Sequence, residues 1–198
     1  MAKIDLDLIQ KLRTMSGAGM MDCKKALEAT DGDIEKAMTE LRKKGALIAG
    51  KRSGNATDEG LVYAYIHPGD RIGVMIEINC ETDFVARTDD FKQFAKDVCM
   101  HIAAYNPKYI APEDVDKAFL DKERTFYIEE LVKANKPANV IEQIVQGKLN
   151  KLYSSICLMQ QPFVKNDQLT VAEVLQELIG KLGENIKIKR FARFEIGN

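Results

Sequence analysis

Apolar residues recur every three or four positions through the first 45 residues, and this spacing predicts three short helices. A glycine-bearing break at residues 16–19 separates the first helix from the second, which covers about residues 20–29. Asp33 is the predicted N-cap of the third helix, and Lys43 and Lys44 in its last turn, followed by Gly45, predict its end. The apolar positions of the first and third helices are Ile4, Leu8, Ile9, Leu12, Ile34, Ala37, Met38 and Leu41.

The pattern then changes from helical spacing to strand-like runs. Residues 50–59, GKRSGNATDE, are polar and aperiodic, which is typical of a linker. Residues 61–66 and 71–79 are rich in β-branched and aromatic side chains, and the turn-forming sequence HPGD lies between them. These features predict a β-hairpin with a four-residue loop.

The remainder of the chain predicts four more helices and a closing strand. Thr88 is the predicted cap of the first of these helices, two others cover about residues 120–134 and 138–149, and Thr170 caps a fourth that reaches about residue 182. Residues 158–163 are predicted to be a short extended piece. The closing strand has one apolar face that Arg190 interrupts, which indicates a bulge or a strand end. That face consists of Ile186, Ile188, Ala192, Phe194 and Ile196.

These elements predict an α+β protein: an N-terminal three-helix unit, then a core in which helices cover a small antiparallel sheet of about three strands. We expect a first domain at residues 1–50, a linker at 51–59 and the core domain at 60–198. The sequence contains no internal repeat.

Composition narrows the class of protein. The formal net charge of −1 gives no overall attraction to nucleic acid or to acidic membranes. The N-terminus has no apolar signal region and no apolar run approaches about 18 residues, so we expect a cytoplasmic protein without a membrane span. The cysteines at 23, 80, 99 and 157 have no CxxC spacing and are predicted to be reduced and mostly buried.

Several motifs resemble catalytic or ligand-binding sites, but none has the required context. Residues 45–53, GALIAGKRS, nearly match a phosphate-binding loop, yet a helix precedes them and Arg52 stands where a hydroxyl is needed. His67 and His101 are far apart and neither has a cysteine at ligand spacing, so we expect no metal site. No hydrolase signature is present, which lowers the expectation of an enzyme without excluding one.

The stretch NCETDFVARTDDF at residues 79–91 places a large aromatic side chain, Phe84, in a connection between a strand and a helix. In one interpretation Asp83 caps a single helical turn and Phe84 folds back onto the sheet. In the other, Phe84 protrudes as an aromatic anchor flanked by a carboxylate, a composition typical of interface hot spots. The residues alone leave both interpretations open.

After the turn at Gly17 and Gly19, one of Met20 and Met21 is expected in the core and the other in contact with a partner.

Four segments resemble a known protein family. They are SGAGMMDCKKALEATDGDIEKAMTELRKKGA, NCETDFVAR, QPFVKND and the closing GENIKIKRFARFEIG, and they occur in the family's order along essentially the whole chain. The chain therefore resembles elongation factor Ts, the guanine-nucleotide exchange factor of the translational GTPase elongation factor Tu.

The resemblance implies both a fold and a set of functional residues. The N-terminal helices are expected to be similar to a ubiquitin-associated domain and to dock on the nucleotide-binding domain of the GTPase through Arg13, Met20 and Met21. The Thr-Asp-Phe-Val motif is matched by Thr82, Asp83, Phe84 and Val85, and in the family it inserts between two helices of the GTPase. This insertion dislodges Mg²⁺ and releases GDP, so no catalytic residue, cofactor or metal of the chain itself is implied.

The resemblance also implies an assembly. Longer family members carry two core subdomains and an inserted coiled coil, whereas this chain has room for one core copy, so we expect a homodimer that binds two GTPase molecules without direct contact to nucleic acid or membrane. The closing strand is the candidate seam. If Ile188 and Phe194 face the core, Phe191 faces outward, where it anchors a second subunit or packs under a helix of its own chain.

Two other classes of function remain as alternatives. Lys43, Lys44, Lys51 and Arg52, and separately Lys187, Lys189 and Arg190, could contact phosphates and so bind nucleic acid, although the near-zero net charge argues against it. A small-molecule enzyme of unknown chemistry is the second alternative.

Overall fold

The computed structural model describes residues 4–197, and these form eight α-helices and five β-strands. The helices are α1 (Leu6–Ser16), α2 (Met20–Ala29), α3 (Ile34–Arg52), α4 (Asp83–Ala86), α5 (Asp89–Tyr105), α6 (Lys117–Lys133), α7 (Ala138–Ile156) and α8 (Val171–Leu182). The strands are β1 (Glu59–Ile66), β2 (Ile72–Cys80), β3 (Pro162–Phe163), β4 (Asn166–Thr170) and β5 (Ile186–Glu195). Short 3₁₀ turns cover Pro112–Asp114 and Leu158–Gln160.

The principal sheet has three antiparallel strands in the order β1-β2-β5. The predicted hairpin is present, but its loop is residues 67–71, one residue longer than the four predicted, because β2 begins at Ile72. Strands β3 and β4 form a separate two-stranded antiparallel sheet, and its hairpin was not anticipated beyond a short extended piece near residue 163. The α+β class with about three principal strands is confirmed.

The chain divides into two compact units. Unit 1 contains residues 4–63, 76–96 and 173–189, and unit 2 contains residues 64–75, 97–172 and 190–197. The division into domains at residues 1–50 and 60–198, joined by a linker at 51–59, stays a prediction, because it concerns whether each part folds independently. Locally, Lys51 and Arg52 belong to the end of α3, so the connection to β1 is residues 53–58.

In unit 1 the three N-terminal helices enclose a small apolar core. The bounds predicted for the second helix are those of α2, and the Asp33 side chain accepts a hydrogen bond from the Lys36 N–H, which confirms its role as N-cap of α3. Gly17 ends α1 with a φ of 66°, a backbone conformation that glycine adopts without steric cost. The buried members of this core are Ile9, Leu12, Cys23, Ala26, Leu27 and Ala37.

The predicted end of the third helix at Gly45 is wrong, because α3 continues to Arg52. Gly45 is buried where α3 meets α8, and a Cβ added at Gly180 would lie 2.8 Å from the Gly45 Cα. The two glycines therefore permit a backbone approach that larger residues would block. Arg42 of α3 and Glu177 of α8 add an ion pair with a separation of 2.8 Å. Residues 45–52 of the segment that resembles a phosphate-binding loop belong to this continuous helix.

The closing strand also departs from the prediction. Ile186 and Ile188 are buried as expected, but beyond Arg190 the inward positions change: Phe191 is half-buried, and Phe194 is 68% exposed. The alternation predicted that Arg193 faces solvent. Its guanidinium instead donates hydrogen bonds to the Ala103 carbonyl at 3.1 and 3.3 Å, so that side of the strand is covered by protein. The prediction of one apolar face through Phe194, with Phe191 outward, is therefore wrong.

Unit 2 contains a buried histidine in a satisfied polar network. The Val164 N–H donates to Nδ1 of His101 at 3.2 Å, so the ring hydrogen resides on Nε2, which lies 2.8 Å from the Gln161 Oε1. The Gln161 amide in turn donates to the Ser155 carbonyl, and the ring stacks on Tyr105 with centroids 4.6 Å apart. Burial lowers the pKa of His101 from its usual 6.5, which favours the neutral ring.

Helices α6 and α7 form an antiparallel hairpin in unit 2, with Leu131, Val145 and Leu149 buried between them. Helix α7 extends to Ile156, seven residues beyond its predicted end at about residue 149. Over residues 4–197 no helix combines the length and the apolar character needed to cross a bilayer.

All four cysteines are free and buried, as predicted. Burial raises the pKa of the Cys99 thiol to about 12 and that of the Cys80 and Cys157 thiols to about 11, so these three groups are protonated at neutral pH.

Candidate functional site

Helix α4 is a single turn between β2 and α5, and its N-cap is Thr82. The Thr82 Oγ1 accepts a hydrogen bond from the Val85 N–H at 3.4 Å, and the Thr82 carbonyl accepts one from the Ala86 N–H at 3.3 Å. The cap is therefore not Asp83, as one of the two interpretations had it. Thr88 then caps α5 through the Phe91 N–H, as predicted. We call residues 82–87 the Phe84 turn.

Phe84 projects from this turn into solvent. Its side chain is 80% exposed, whereas Val85 and Ala86 beside it are buried. The interpretation that Phe84 folds back onto the sheet is therefore wrong, and the interpretation of a protruding aromatic residue is confirmed. Asp83 and Arg87 form an exposed ion pair at 2.8 Å across the turn, which is worth little in water. Val85 and Ala86 hold the turn to the protein, which leaves Phe84 available for contact.

Two acidic residues outside the predicted site hold the start of the turn. Both carboxylate oxygens of Glu184 contact Thr82: the Thr82 hydroxyl donates to Oε1 at 2.7 Å and the Thr82 N–H donates to Oε2 at 3.0 Å. Glu81 accepts hydrogen bonds from Arg52, Asn55 and the Asn185 N–H. The bond from the Asn185 N–H, at 2.6 Å, is the largest cause that lowers the pKa of Glu81, so its carboxylate stays ionised.

Sequence reasoning missed Glu81, Glu184 and Asn185 as supports of the turn. They lie inside the motifs NCETDFVAR and GENIKIKR, so the signal was present, but about a hundred residues separate the two motifs. Only the fold brings them together, since periodicity within one segment carries no information about a hydrogen bond to another.

The second group of predicted site residues lies at the turn between α1 and α2. Arg13 is exposed near the end of α1, and α2 begins at Met20. Met20 and Met21 are both exposed, so the expectation that one of them belongs to the core is wrong. Two adjacent exposed methionines provide a flexible apolar surface that adapts to a binding partner.

All seven predicted site residues belong to unit 1. Helix α8 connects their two groups: a Cβ added at Gly17, in the turn between α1 and α2, would lie 3.1 Å from the Lys181 Nζ, and that ammonium pairs with the Asp90 carboxylate at 2.6 Å. Asp90 follows the Phe84 turn at the start of α5. The two groups thus lie on one compact body.

The site consists of an exposed aromatic side chain, exposed methionines and charged residues on short, well-bonded turns, which suits contact with another protein. In the part of the chain that the structure describes, no group of three or more His, Cys, Asp or Glu side chains is arranged to hold a metal ion.

Comparison with known proteins gives a consistent result. The family model described as Elongation factor TS matches residues 10–198. A protein named Elongation factor Ts from Desulfosudis oleivorans is 53% identical over 197 residues, covering 100% of both chains. Proteins of the same name from Carboxydothermus hydrogenoformans and Pseudothermotoga lettingae are 52% and 51% identical over 98% of this chain and cover 89% and 98% of their own lengths. The protein described here therefore belongs to the elongation factor Ts family.

Proposed function

We propose that this protein is the guanine-nucleotide exchange factor of elongation factor Tu and promotes GDP release during polypeptide elongation. Family membership supports the activity and the partner, and the 80% exposure of Phe84 on a turn held by hydrogen bonds is the structural observation that carries the proposal. A large aromatic side chain left in water has a cost that contact with a partner recovers.

The Phe84 turn inserts between two helices of the GTPase beside the bound nucleotide. Phe84 enters an apolar pocket there, and Asp83 accompanies it as a polar contact at the rim. Thr82 and Val85 act differently: Thr82 caps the turn, and buried Val85 anchors it from beneath, so both keep Phe84 in position. The insertion displaces the Mg²⁺ of the GTPase, and because that ion neutralises the phosphates of GDP, its displacement weakens GDP binding.

This action involves no covalent chemistry, and we therefore do not class the protein as an enzyme. The exchange factor binds the empty GTPase more tightly than the GDP form, and by linkage GDP weakens binding of the factor by the same ratio. The factor accelerates exchange in both directions, and the cellular concentrations of GTP and GDP decide which nucleotide binds next.

The N-terminal helices, residues 1–50, serve as a docking domain in this proposal. Arg13, Met20 and Met21 contact the nucleotide-binding domain of the GTPase, and their contact raises the local concentration of the Phe84 turn at its target. Residues 60–198 form the domain that carries the turn and the dimer contact, and we place the protein in the cytoplasm.

We propose a homodimer that uses the apolar side chains exposed on the sheet in unit 2, in place of Phe191. Ile66, Met75, Phe194 and Ile196 are all largely exposed there. Ile66, Phe194 and Ile196 line one open groove, and the Ile196 N–H bonds to the Arg71 carbonyl at 3.0 Å. Two-fold pairing of identical faces is the commonest way for a chain to cover exposed apolar side chains.

Sedimentation equilibrium tests the dimer. The wild type is expected to be dimeric at micromolar concentration, and Phe194→Asp is expected to be monomeric because it places a charge in the buried seam. Phe126→Asp is the matched control, since Phe126 is also an exposed aromatic residue but lies on α6. A monomeric wild type, or loss of the dimer in both variants, contradicts the proposed seam.

The exchange activity itself is tested with elongation factor Tu loaded with a fluorescent GDP analogue. Catalytic amounts of the protein, well below the GTPase concentration, are expected to accelerate release of the analogue when excess unlabelled GDP is added. Release at the intrinsic rate refutes the proposed function. A salt titration of RNA binding separates the alternative of a nucleic-acid-binding module, for which affinity falls steeply with salt.

A further inference from the structure

Glu184, in the GENIKIKR motif, reaches the Phe84 turn directly. Its two carboxylate oxygens accept hydrogen bonds from the hydroxyl and the N–H of Thr82, at 2.7 and 3.0 Å. A carboxylate with both oxygens engaged fixes its partner in direction as well as distance, and such charge-assisted bonds are stronger than neutral ones. The residue that begins the turn is therefore bound to a segment about a hundred residues away in sequence.

The Thr82 hydroxyl links this contact to the turn itself. It donates its hydrogen to Glu184, and the same oxygen accepts the Val85 N–H at 3.4 Å. An accepted and a donated bond on one hydroxyl strengthen each other, so the carboxylate reinforces the cap of α4. Removing the carboxylate would free the hydroxyl to rotate and would loosen the residue that leads into Phe84.

Glu184 is itself held on both sides. Gly183 precedes it with a φ of 74° and donates its N–H to the Ile179 carbonyl at 2.8 Å, which terminates α8. Asn185 follows it, is buried, and donates its side-chain amide to the Asn55 carbonyl at 2.8 Å. The carboxylate is presented from a short connection with little freedom to move away.

We propose that Glu184 is a positioning residue for nucleotide exchange, because it holds Thr82 so that the Phe84 turn is already ordered before the GTPase binds. This inference rests on the proposed function of the Phe84 turn. An ordered turn loses less conformational entropy on insertion than a mobile one, so more of the contact energy of Phe84 remains available to displace GDP. Glu184 acts through Thr82 and makes no contact with the partner in this proposal.

Amide hydrogen exchange measured by NMR on the full chain tests the positioning role without any partner. In Glu184→Ala, the N–H groups of Val85, Ala86 and Arg87 are expected to exchange about tenfold faster, although none of them bonds to Glu184. Amides in the α6–α7 hairpin serve as the internal reference and are expected to be unchanged. Unchanged exchange in the turn, or an equal rise throughout the protein, overturns the positioning role.

Exchange kinetics test the functional consequence. Glu184→Ala is expected to lower the maximal rate of GDP release about tenfold, and Glu184→Gln less, because a glutamine presents one acceptor and one donor to the two Thr82 donors. The matched control is Glu177→Gln, which removes a carboxylate from α8 that pairs with Arg42 and does not touch the turn. The control is expected to keep the maximal rate.

A double-mutant cycle with Phe84→Ala separates action through the turn from direct contact with the GTPase. If Glu184 acts by orienting Phe84, Glu184→Ala is expected to cause no further loss of rate once Phe84 is alanine. A full second loss in the double variant overturns the proposal. If the wild type fails to accelerate GDP release at all, the proposed function is refuted, and the hydrogen-exchange result alone then decides whether Glu184 orders the turn.

Discussion

Replacing Phe84 by alanine is expected to slow GDP release strongly while leaving the protein folded. The side chain is 80% exposed, so only about a fifth of it is removed from water in the free protein. Full burial of a Phe side chain is worth roughly 1.5–3 kcal/mol, and a fifth of that is about 0.5 kcal/mol. For a chain of this size such a loss corresponds to a fall in Tm of about 1–2 °C.

The effect on exchange is expected to be much larger than the effect on stability. An aromatic residue that becomes buried at the centre of an interface typically costs about 2 kcal/mol or more when it is truncated, which is about a 30-fold change in rate or affinity. The assay is release of a fluorescent GDP analogue from elongation factor Tu over a range of factor concentrations, which gives the maximal rate and the half-saturating concentration separately.

Two variants serve as controls for Phe84→Ala. Phe126→Ala removes another exposed aromatic side chain, 61% exposed on α6, and is expected to leave exchange unchanged. Val85→Ala truncates the buried neighbour of Phe84 and is expected to cost about 2 kcal/mol of stability. The reasoning is refuted if Phe84→Ala melts several degrees lower and exchanges normally, or if Phe126→Ala slows release as much as Phe84→Ala.

Three further expectations follow from other parts of the structure. Gly180→Ala is expected to lower the free energy of unfolding in urea by about 1–3 kcal/mol, because its Cβ would lie 2.8 Å from the backbone of α3. Gly50→Ala, which has open space around it on α3, is the control and should raise that free energy by about 0.5–1 kcal/mol. Equal effects of the two substitutions would contradict the close approach of α3 and α8. Because burial lowers the pKa of His101 below 6.5, the unfolded chain binds a proton at acidic pH that the folded chain does not. The free energy of unfolding should therefore fall as the pH drops below about 6.5, and His101→Gln should remove the part of this pH dependence that His101 causes. An unchanged pH dependence in the variant would be inconsistent with a buried neutral ring. Replacing both Met20 and Met21 by serine is expected to raise the half-saturating concentration in the exchange assay while the protein stays folded, and unaltered kinetics would argue against their docking role.

Local pattern was sufficient where an element depends on its own residues. The bounds of α2 and the Asp33 cap follow from side chains within one or two helical turns, and both were predicted. The same local rules failed at Gly45. A glycine after basic residues is typical of a helix end, but this glycine lies inside α3 because α8 passes close to it, and no property of the surrounding sequence reports that contact.

The closing strand shows the same limit. Strict alternation along β5 predicts one buried face, yet the environment on each side of the strand changes after Arg190, where the chain enters unit 2. There the Arg193 guanidinium donates a hydrogen bond to the Ala103 carbonyl, and Phe194 is exposed to solvent. Side-chain direction follows from the backbone, but burial depends on what the rest of the chain places against each face.

The sequence by itself determined the fold class, most of the helices and the family, because these depend on periodicity, caps and motifs that each occupy one stretch of the chain. Only the tertiary structure decided between the two interpretations of Phe84. A phenylalanine in a connection is buried or exposed according to whether other segments reach it. Here Glu184 and the packing of Val85 hold the turn, while 80% of the Phe84 side chain stays exposed to solvent. Hydrogen bonds between segments a hundred residues apart cost loop entropy and gain energy only once the fold exists, so the order of the Phe84 turn is a property of the folded chain.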